Sequence, residues 1–521
     1  MVTRKAAPAN AKERRKKLAI EKEIARLTPT ADKNILIESL RDFGKRNMIT
    51  YAIATNLDRS VPDVYDGCKP VHRRIMFGAS HQENRYIKTA RVVGDVLGKY
   101  HPHGDKSIAD AIETLVNMPT SPILGSGNWG SLTDNAAAMR YTEMKLSGYG
   151  RSFFASDYIH KEVTSFVPNF DDSETEPVTL PAMLPNVLLN GGDGIGVGIT
   201  TYIPSFTAES MIEVLRRLLK GEKLEAADYA KSLKFAHKYG GRIVNNAENK
   251  KGWLQMFVEP KGRVQFESEL EIDRDHKQIK IADWPLGTTA KNLIKFVAKV
   301  RSMPETQRCY NSKGTAIFTV ECKPAYNYAQ FDKFVEKVRA ATRRRASFKI
   351  HVTKREAQTV DGVTTFDTKF LALSVPELIR LWLKMRIALE LKSLAYRIGK
   401  QNRAIEYSEL LIYACGQIDA VIKAIKTSAD PEKAVSKLLK IGPEQAKQIC
   451  DLQLRRLSKL DQDTLKVKLK EQQKFLAQLK SWESKPRAKV LSDLADVEAA
   501  IIKDRTAEKK EQEEKLTLVA E

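Results

Sequence analysis

The sequence predicts a multidomain α+β protein, and three observations carry that prediction. At 521 residues the chain exceeds what one ordinary hydrophobic core supports, so several domains are expected. Residues 176–370 contain alternating apolar and polar runs that read as strands. From Pro376 onward the strand patterns vanish and long apolar stripes at helical spacing replace them. The resulting partition is a basic arm over 1–34, a helix-rich domain over 35–175, a mixed α/β domain over 176–370, long helices over 371–490 and a charged tail over 491–521.

In the helix-rich part, "IKTARVVGDVLGKY" (87–100) sets Ala90, Val93, Val96 and Leu97 on one face. Pro102 and Gly104 in "HPHGD" break the helix. "DKSIADAIETLVNM" resumes it with Asp105 as the expected N-cap and Ile108, Ile112, Leu115 and Val116 facing one way. Helix, short turn, helix is the shape of a helix-turn-helix unit, which serves either DNA binding or plain packing. Further on, "GRVQFESELEIDRDHKQIKIADWP" alternates at Val264, Phe266, Leu270 and Ile272, turns through Asp273 to His276, and resumes at Ile279 and Ile281, as one hairpin would. "VPELIRLWLKMRIALELKSLAYRI" opens a long helix with proline in its first turn. A second long helix, near 463–482, spaces Leu465, Leu469, Leu476 and Leu479 like a coiled coil. Between them "IGPEQAKQICDLQLRRLSKL" forms a compact helical patch, so the whole reads as a two-helix arm that dimerises through the knob at its end. The tail "KDRTAEKKEQEEKL" is expected to fray.

Composition narrows the function. A formal charge of +22 favours a partner with dense phosphate charge, through counterion release. The first 27 residues hold nine basic and three acidic side chains, a mobile arm that either touches a polyanion or is simply solvated. Five scattered cysteines (Cys68, Cys309, Cys322, Cys415, Cys450) form no CxxC pair, which argues against a disulfide framework or a cysteine zinc site and for a reducing cytoplasm. No apolar run has membrane-spanning length.

Four stretches hold candidate chemistry. In "NAAAMRYTEMKL" (135–146) Arg140 and Tyr141 stand side by side after three alanines. Phenol has a pKa of about 10, so roughly one in a thousand is ionised at neutral pH. An adjacent cation favours the phenolate and neutralises a phosphate under attack. A tyrosine that attacks a phosphodiester exchanges one ester for another, so resealing needs no outside energy. In "KYHPHGDKS" His101 and His103 bracket a proline between Lys99 and Lys106. Without a third ligand at suitable spacing, phosphate donors fit these histidines better than zinc. "RSVPDVYDGCKPVHRR" gathers Arg59, Lys69, His72, Arg73 and Arg74 around turn-forming Pro and Gly, a pattern suited to phosphate contact. "LLNGGDGIGVGIT" holds five glycines over 191–198 without fitting GxGxxG or a Walker lysine. A lone Ile195 among them is suited to insertion between base steps.

In this order, "RSVPDVYDGCKPVHRRI", "ARVVGDVLGKYHPHGD", "GSGNWGS", "AAAMRYTEMKL" and "LPNVLLNGGDGIGVGITTYIPS" resemble the successive motifs of the breakage-rejoining subunit of type IIA DNA topoisomerases, the family of the gyrase A and topoisomerase IV A subunits. The resemblance continues through "YGGRI" (239–243) and "DLQLRRLSKL" (451–460), over roughly residues 40–490. It implies a winged-helix domain, a tower, and a long antiparallel coiled coil ending in a dimer gate. Tyr141 would be the nucleophile that bonds a 5′ phosphate, with Arg140 stabilising the transition state. Ala136–Ala138 would let the backbone approach the duplex. His103 and Arg59 would lie at the scissile phosphate with His101 nearby; Lys69, His72, Arg73 and Arg74 would grip the adjoining backbone beside Lys106; and Ile195 would wedge and bend the DNA.

The resemblance also sets expectations about partners: double-stranded DNA, a second copy of the chain, and a separate ATPase/metal-binding subunit that supplies ATP and Mg2+, in a bacterial cytoplasm or an infected one, associated with the nucleoid. The chain carries no ATPase signature and no wrapping-domain motif, so ATP-dependent relaxation and decatenation is expected, most like the medium subunit of tailed-phage topoisomerases. A gyrase-type A subunit lacking its wrapping domain and a non-catalytic DNA-bridging dimer on the same scaffold are the alternatives. Two positions depart from the bacterial pattern. Trp129 replaces the usual phenylalanine, and Lys106 stands where a quinolone-binding serine is common while Asp110 keeps the acidic site, so weak quinolone sensitivity is expected.

Overall fold

A computed structural model of the chain describes residues 39–311, 316–360, 363–451 and 459–520. Residues 1–54 and 55–521 form two compact units. The described part of the first is helix α1 (Leu40–Thr55), none of whose residues is buried. The basic arm expected over 1–34 lies outside the described residues.

In the second unit, α2 (Pro70–Ser80), α3 (Thr89–Lys99) and α4 (Asp105–Val116) pack together. They lie beside a small antiparallel sheet ordered β1-β3-β2 (Ile87–Lys88, Glu143–Leu146, Ile123–Ser126). Of the faces that the periodicity selects, Val93, Val96, Ile108, Ile112 and Leu115 are buried, Ala90 and Val116 are half-buried and Leu97 stays exposed; Val92 is buried as well. Gly104, not Asp105, is the N-cap of α4; Asp105 is its first helical residue, where a carboxylate favours the positive end of the helix dipole. A short helix α5 (Gly148–Ser152) follows β3.

A five-stranded sheet comes next, in the order β4-β5-β12-β7-β6, from Gly192–Ile195, Thr200–Ile203, Arg344–Lys349, Lys261–Glu267 and Arg242–Ile243. Helix α6 (Ala208–Leu219) buries Met211, Ile212, Val214 and Leu215 in the same core. A separate four-stranded sheet, β8-β9-β11-β10 (Glu271–Asp273, Gln278–Ile281, Phe318–Cys322, Thr306–Asn311), carries helices α7 (Ala290–Arg301) and α8 (Tyr328–Thr342) on its own core of Trp284, Phe296, Phe331 and Phe334. The single hairpin expected over 264–281 is therefore split. Val264 and Phe266 belong to β7 in the first core, while Ile279 and Ile281 belong to β9 in the second. The break falls at buried Ser268, whose N–H donates to Thr342 Oγ1 at 3.0 Å and leaves the ladder. The turn itself matches the expectation, with Asp273 opposite Gln278.

A long hairpin, β13 (His351–Val360) with β14 (Val363–Ala372), leads to α9 (Val375–Gly416). Pro376 lies in its first turn, and Ser374 and Glu377 form a capping box there. Val375, Leu378, Ile379 and Trp382 enter the first core, roughly 1.5–3 kcal/mol of burial per side chain. Three short helices, α10 (Ile418–Thr427), α11 (Pro431–Leu439) and α12 (Pro443–Cys450), form a knob around Val421, Val435, Leu439, Ala446 and Ile449. Helix α13 (Lys459–Ser484) runs back along α9. The stretch 452–458, most of the "DLQLRRLSKL" motif, is outside the described residues.

The chain differs most from expectation at its end. Over the stretch set apart as a charged tail from 491, α14 spans Pro486–Ala520. It buries Val490, Leu494, Val497 and Ile501, spaced by four, three and four residues on one helix face. The charged residues around them hide that stripe in any count of composition.

One buried network ties α9 to α14. Arg386, fully buried, donates from Nη1 to Glu390 Oε2 at 2.8 Å and from Nη2 to Asp493 Oδ2 at 2.7 Å, and the Tyr158 hydroxyl donates to Glu390 Oε2 at 2.7 Å. Truncating one member of such a buried group strands the other charges, at about 3–5 kcal/mol. Arg386→Ala is expected to lower the free energy of unfolding, read from urea titration, by an amount of that order, whereas Arg274→Ala, which breaks an exposed pair with Asp332, leaves it in place.

Candidate nucleic-acid interface and nucleophile

Tyr141 owes its position to the start of α3. The first turn of a helix has N–H groups without helical partners. Here Thr89 N–H donates to Thr142 O at 3.0 Å and Ala90 N–H to Met139 O at 3.2 Å. The buried Thr142 and Thr89 hydroxyls meet at 2.9 Å, and Tyr141 N–H closes a turn onto Ala138 O at 2.8 Å. The segment is thus fastened to the scaffold on both sides of a side chain that is itself 64% exposed. The Arg140 guanidinium lies 4.6 Å from the Tyr141 ring centroid, so cation and phenol face solvent together. Behind them "GSGNWGS" makes a tight support. Gly127 and Gly130 take positive φ, and a Cβ at Gly125 would come within 2.3 Å of the Trp129 indole.

A second cluster gathers at the other end of α3. Arg74 grips Glu176 with two bonds of 2.7 Å and reaches His101 Nδ1 with Nη1 at 3.2 Å. That contact makes Nδ1 an acceptor and puts the His101 proton on Nε2. The rings of His101 and His103 stack at 4.5 Å. Burial, followed by the charges of His103, Arg74 and Arg59, pushes His101 down to about 4. It is therefore a neutral hydrogen-bond donor at neutral pH, on the same electropositive patch as exposed Arg59. The sequence pattern brings Arg59, Arg74, His101 and His103 together, but not with their own Tyr141. The 11 residues of α3 stand between the two backbones, about 16 Å of helix rise.

The remaining candidates divide. Lys69 and His72 line a cleft of about 490 Å³ with Glu113, Asp193, Tyr202 and Lys238. Burial lowers the Lys69 ammonium, partly offset by Asp193, and pushes His72 down to about 3 with help from Lys69 and Arg73. Lys106 is exposed in the first turn of α4, beside a pocket that Asp110 and Ala136–Ala138 share. Ile195 is 86% exposed at the tip of the β4–β5 hairpin. Arg73 is a correction. The expectation that it grips the DNA backbone fails, because its guanidinium turns inward, buried and paired with Asp66 through bonds of 2.7 and 3.1 Å. Burial alone would lower its basicity; the Asp66 charge outweighs that and holds it protonated.

Sequence reasoning missed Asp66 and Lys238. Asp66 had a signal, an acid just before the Gly67 turn in a stretch of cations. Lys238 had less, only its position before "YGGRI"; its ammonium reaches Asn117 at the end of α4. Among the described residues, no group of three or more His, Cys, Asp or Glu is placed to hold a metal, and no helix is long and apolar enough to cross a membrane.

The histidine cluster makes a signed prediction. Because the folded His101 pKa lies below the ordinary 6.5, its stabilising contribution is complete above that value and is lost as pH falls through about 4. Imidazole NMR should show His101 neutral to about pH 4 with the Nε2–H tautomer. Arg74→Ala removes a neighbouring positive charge and should move that midpoint up.

Residues 59–495 match the family of DNA gyrase/topoisomerase IV A subunits. The chain is similar to the DNA gyrase A protein of Helicobacter pylori (strain J99), 28% identical over 83% of this chain and 52% of that protein. It is 30% identical to that of Campylobacter jejuni, over 86% and 52% of the two chains, and 28% identical to that of Brachyspira hyodysenteriae, over 91% and 57%. The chain spans about half the length of these relatives. With the family match running through most of its length, the chain belongs to the A-subunit family of DNA gyrase and topoisomerase IV.

Proposed function

We propose that this chain is the DNA breakage-rejoining subunit of an ATP-dependent type IIA topoisomerase. The observation that carries the reading is the exposed Arg140–Tyr141 pair on a segment fastened to α3. On this reading α3 and α4 with the β1-β3-β2 sheet are the winged-helix unit, the two sheets beyond it the tower, and α9, α13 and the knob the coiled coil with its dimer gate.

The Tyr141 phenol oxygen attacks a backbone phosphorus, and the P–O3′ bond breaks as the new P–O bond forms. The proton lost by the phenol is matched by one gained at the 3′ oxygen. Arg140 meets the charge that grows on the phosphoryl oxygens. Reversal reseals the strand. The length of α3 supports a site shared between two copies, in which the Arg59–His101–His103 cluster of one holds the phosphate that the tyrosine of the other attacks. Each copy cuts one strand, and a second duplex passes through the gap. Neutral His101 and His72 suit this work as donors that orient a phosphate, while Arg59, Lys69 and Lys106 supply charge. Ile195 enters the base stack and bends the gate DNA.

Mg2+ and ATP belong to a partner subunit in this scheme; the metal supplies charge stabilisation at the scissile phosphate. In this scheme the chain carries out cleavage, bending and gating, and ATP bound by the partner drives relaxation and decatenation.

The test is a trapping assay with the chain, its cognate ATPase/metal-binding subunit, Mg2+ and supercoiled plasmid, quenched with detergent and digested with protease. Linear DNA whose 5′ ends carry a peptide joined through Tyr141 is expected, absent in Tyr141→Phe. Arg140→Gln should slow adduct formation roughly 10²–10³-fold, the usual rate effect of losing one transition-state donor. A complex that binds DNA and ATP yet forms no adduct would make the chain a DNA-bridging dimer. Quinolones should stabilise the adduct only weakly, and Lys106→Ser should increase their potency.

A further inference from the structure

The hairpin that carries Ile195 does not stand alone. It lies against a π-helical turn, Asn56–Ser60, the turn that carries Arg59. Asn56 is buried, and its side-chain amide pairs with the backbone of Val197 in both directions: Nδ2 donates to Val197 O at 3.1 Å, and Val197 N–H donates to Oδ1 at 2.9 Å. A side-chain amide that gives and accepts in this way copies one rung of a β-ladder. Ser60 adds a second fastening, its hydroxyl donating to Ile195 O at 2.9 Å. The glycines between make the approach feasible. A Cβ at Gly196 would lie 1.9 Å from Asn56 Oδ1, and one at Gly194 would lie 2.0 Å from Ser60 O. Two of the five glycines therefore serve the contact with this turn and not only the hairpin's own bend. Single π-turns are rare and often mark functional sites.

We propose that Asn56 is a positioning residue that couples insertion of Ile195 into DNA to placement of Arg59 at the phosphate. Load on the hairpin tip passes through Val197 to Asn56, three residues before Arg59 on the same turn, so bending and phosphate capture occur as one event. The inference rests on the cleavage reading above and adds a residue that none of the site motifs includes.

The test uses the full chain with Mg2+ and its cognate ATPase/metal-binding subunit. The probe is a duplex of about 30 base pairs carrying a dye at each end, short enough that bending changes the end-to-end transfer. Ile195→Ala and Asn56→Ala should each shift the bent-to-straight ratio roughly tenfold, with Ser60→Ala smaller and in the same direction. The double variant Asn56→Ala/Ile195→Ala should bend no less than Ile195→Ala alone, the signature of two residues acting through one step. On a duplex already bent by a bulge, adduct formation should recover in Ile195→Ala and stay low in Asn56→Ala, because Arg59 is still misplaced. A merely structural brace would give multiplying effects, or full recovery of Asn56→Ala on the pre-bent duplex; either result overturns the coupling, as does wild-type bending by Asn56→Ala. If the wild-type chain itself neither bends DNA nor forms an adduct, the cleavage reading falls and takes the coupling with it.

Discussion

The pair formed by Asp66 and Arg73 is the constraint on which the interface depends. Asp66 accepts both bonds from Arg73, and it also accepts from Cys68 N–H at 2.9 Å and from Leu180 N–H at 2.8 Å, a full set for one carboxylate. Its carbonyl takes Asn186 Nδ2 at 2.8 Å. One residue thus orients α2, which carries His72 and Arg74, and anchors the segment that leads to the Ile195 hairpin. Gly67 allows the close packing: it takes φ +66°, and a Cβ there would come within 2.4 Å of Val187 N. A buried ion pair contributes little net stability by comparison with an apolar replacement, but its breakage leaves a buried charge, so its geometry is enforced. Here that enforced geometry sets the spacing between His72 and Arg74 on α2 and the Ile195 hairpin.

Around this anchor the cations sort by burial. Arg73 is consumed inside, Arg74 is half-buried against Glu176, and Arg59, Lys106 and Arg140 remain in solvent. The positive charge of the chain is therefore presented through a few placed groups as well as through its general field. Histidines pressed into the same patch lose their protons because burial and neighbouring cations both oppose the charged form. They keep directional donors where another positive charge would be costly.

The long-helix region shows how packing overrides composition. Arg386 on α9 and Asp493 on α14 meet although more than a hundred residues of chain, including the knob, lie between them. Together with Val490, Leu494, Val497 and Ile501 this contact returns the end of the chain to the first core. The Ile195 hairpin and the Tyr141 segment are built into that same core through Ile203 and Met144.

Sequence alone determined the order of patterning, the helices of the first core, the two-helix arm with its knob, and which residues are candidates for the chemistry. Those features are local: helical periodicity, a proline in the first turn at Pro376, and motifs in which residues such as Arg140 and Tyr141 stand side by side. The tertiary structure decided what depends on distant partners. It turned Arg73 to Asp66, divided the 264–281 stretch between two cores, made α14 a packed helix, and set Tyr141 a helix length from the histidines that precede it in the chain. It also gave Asn56 a backbone partner 141 residues away. A side chain's partner across space leaves no periodicity in the sequence, so burial and pairing of that kind become legible only once the chain is folded.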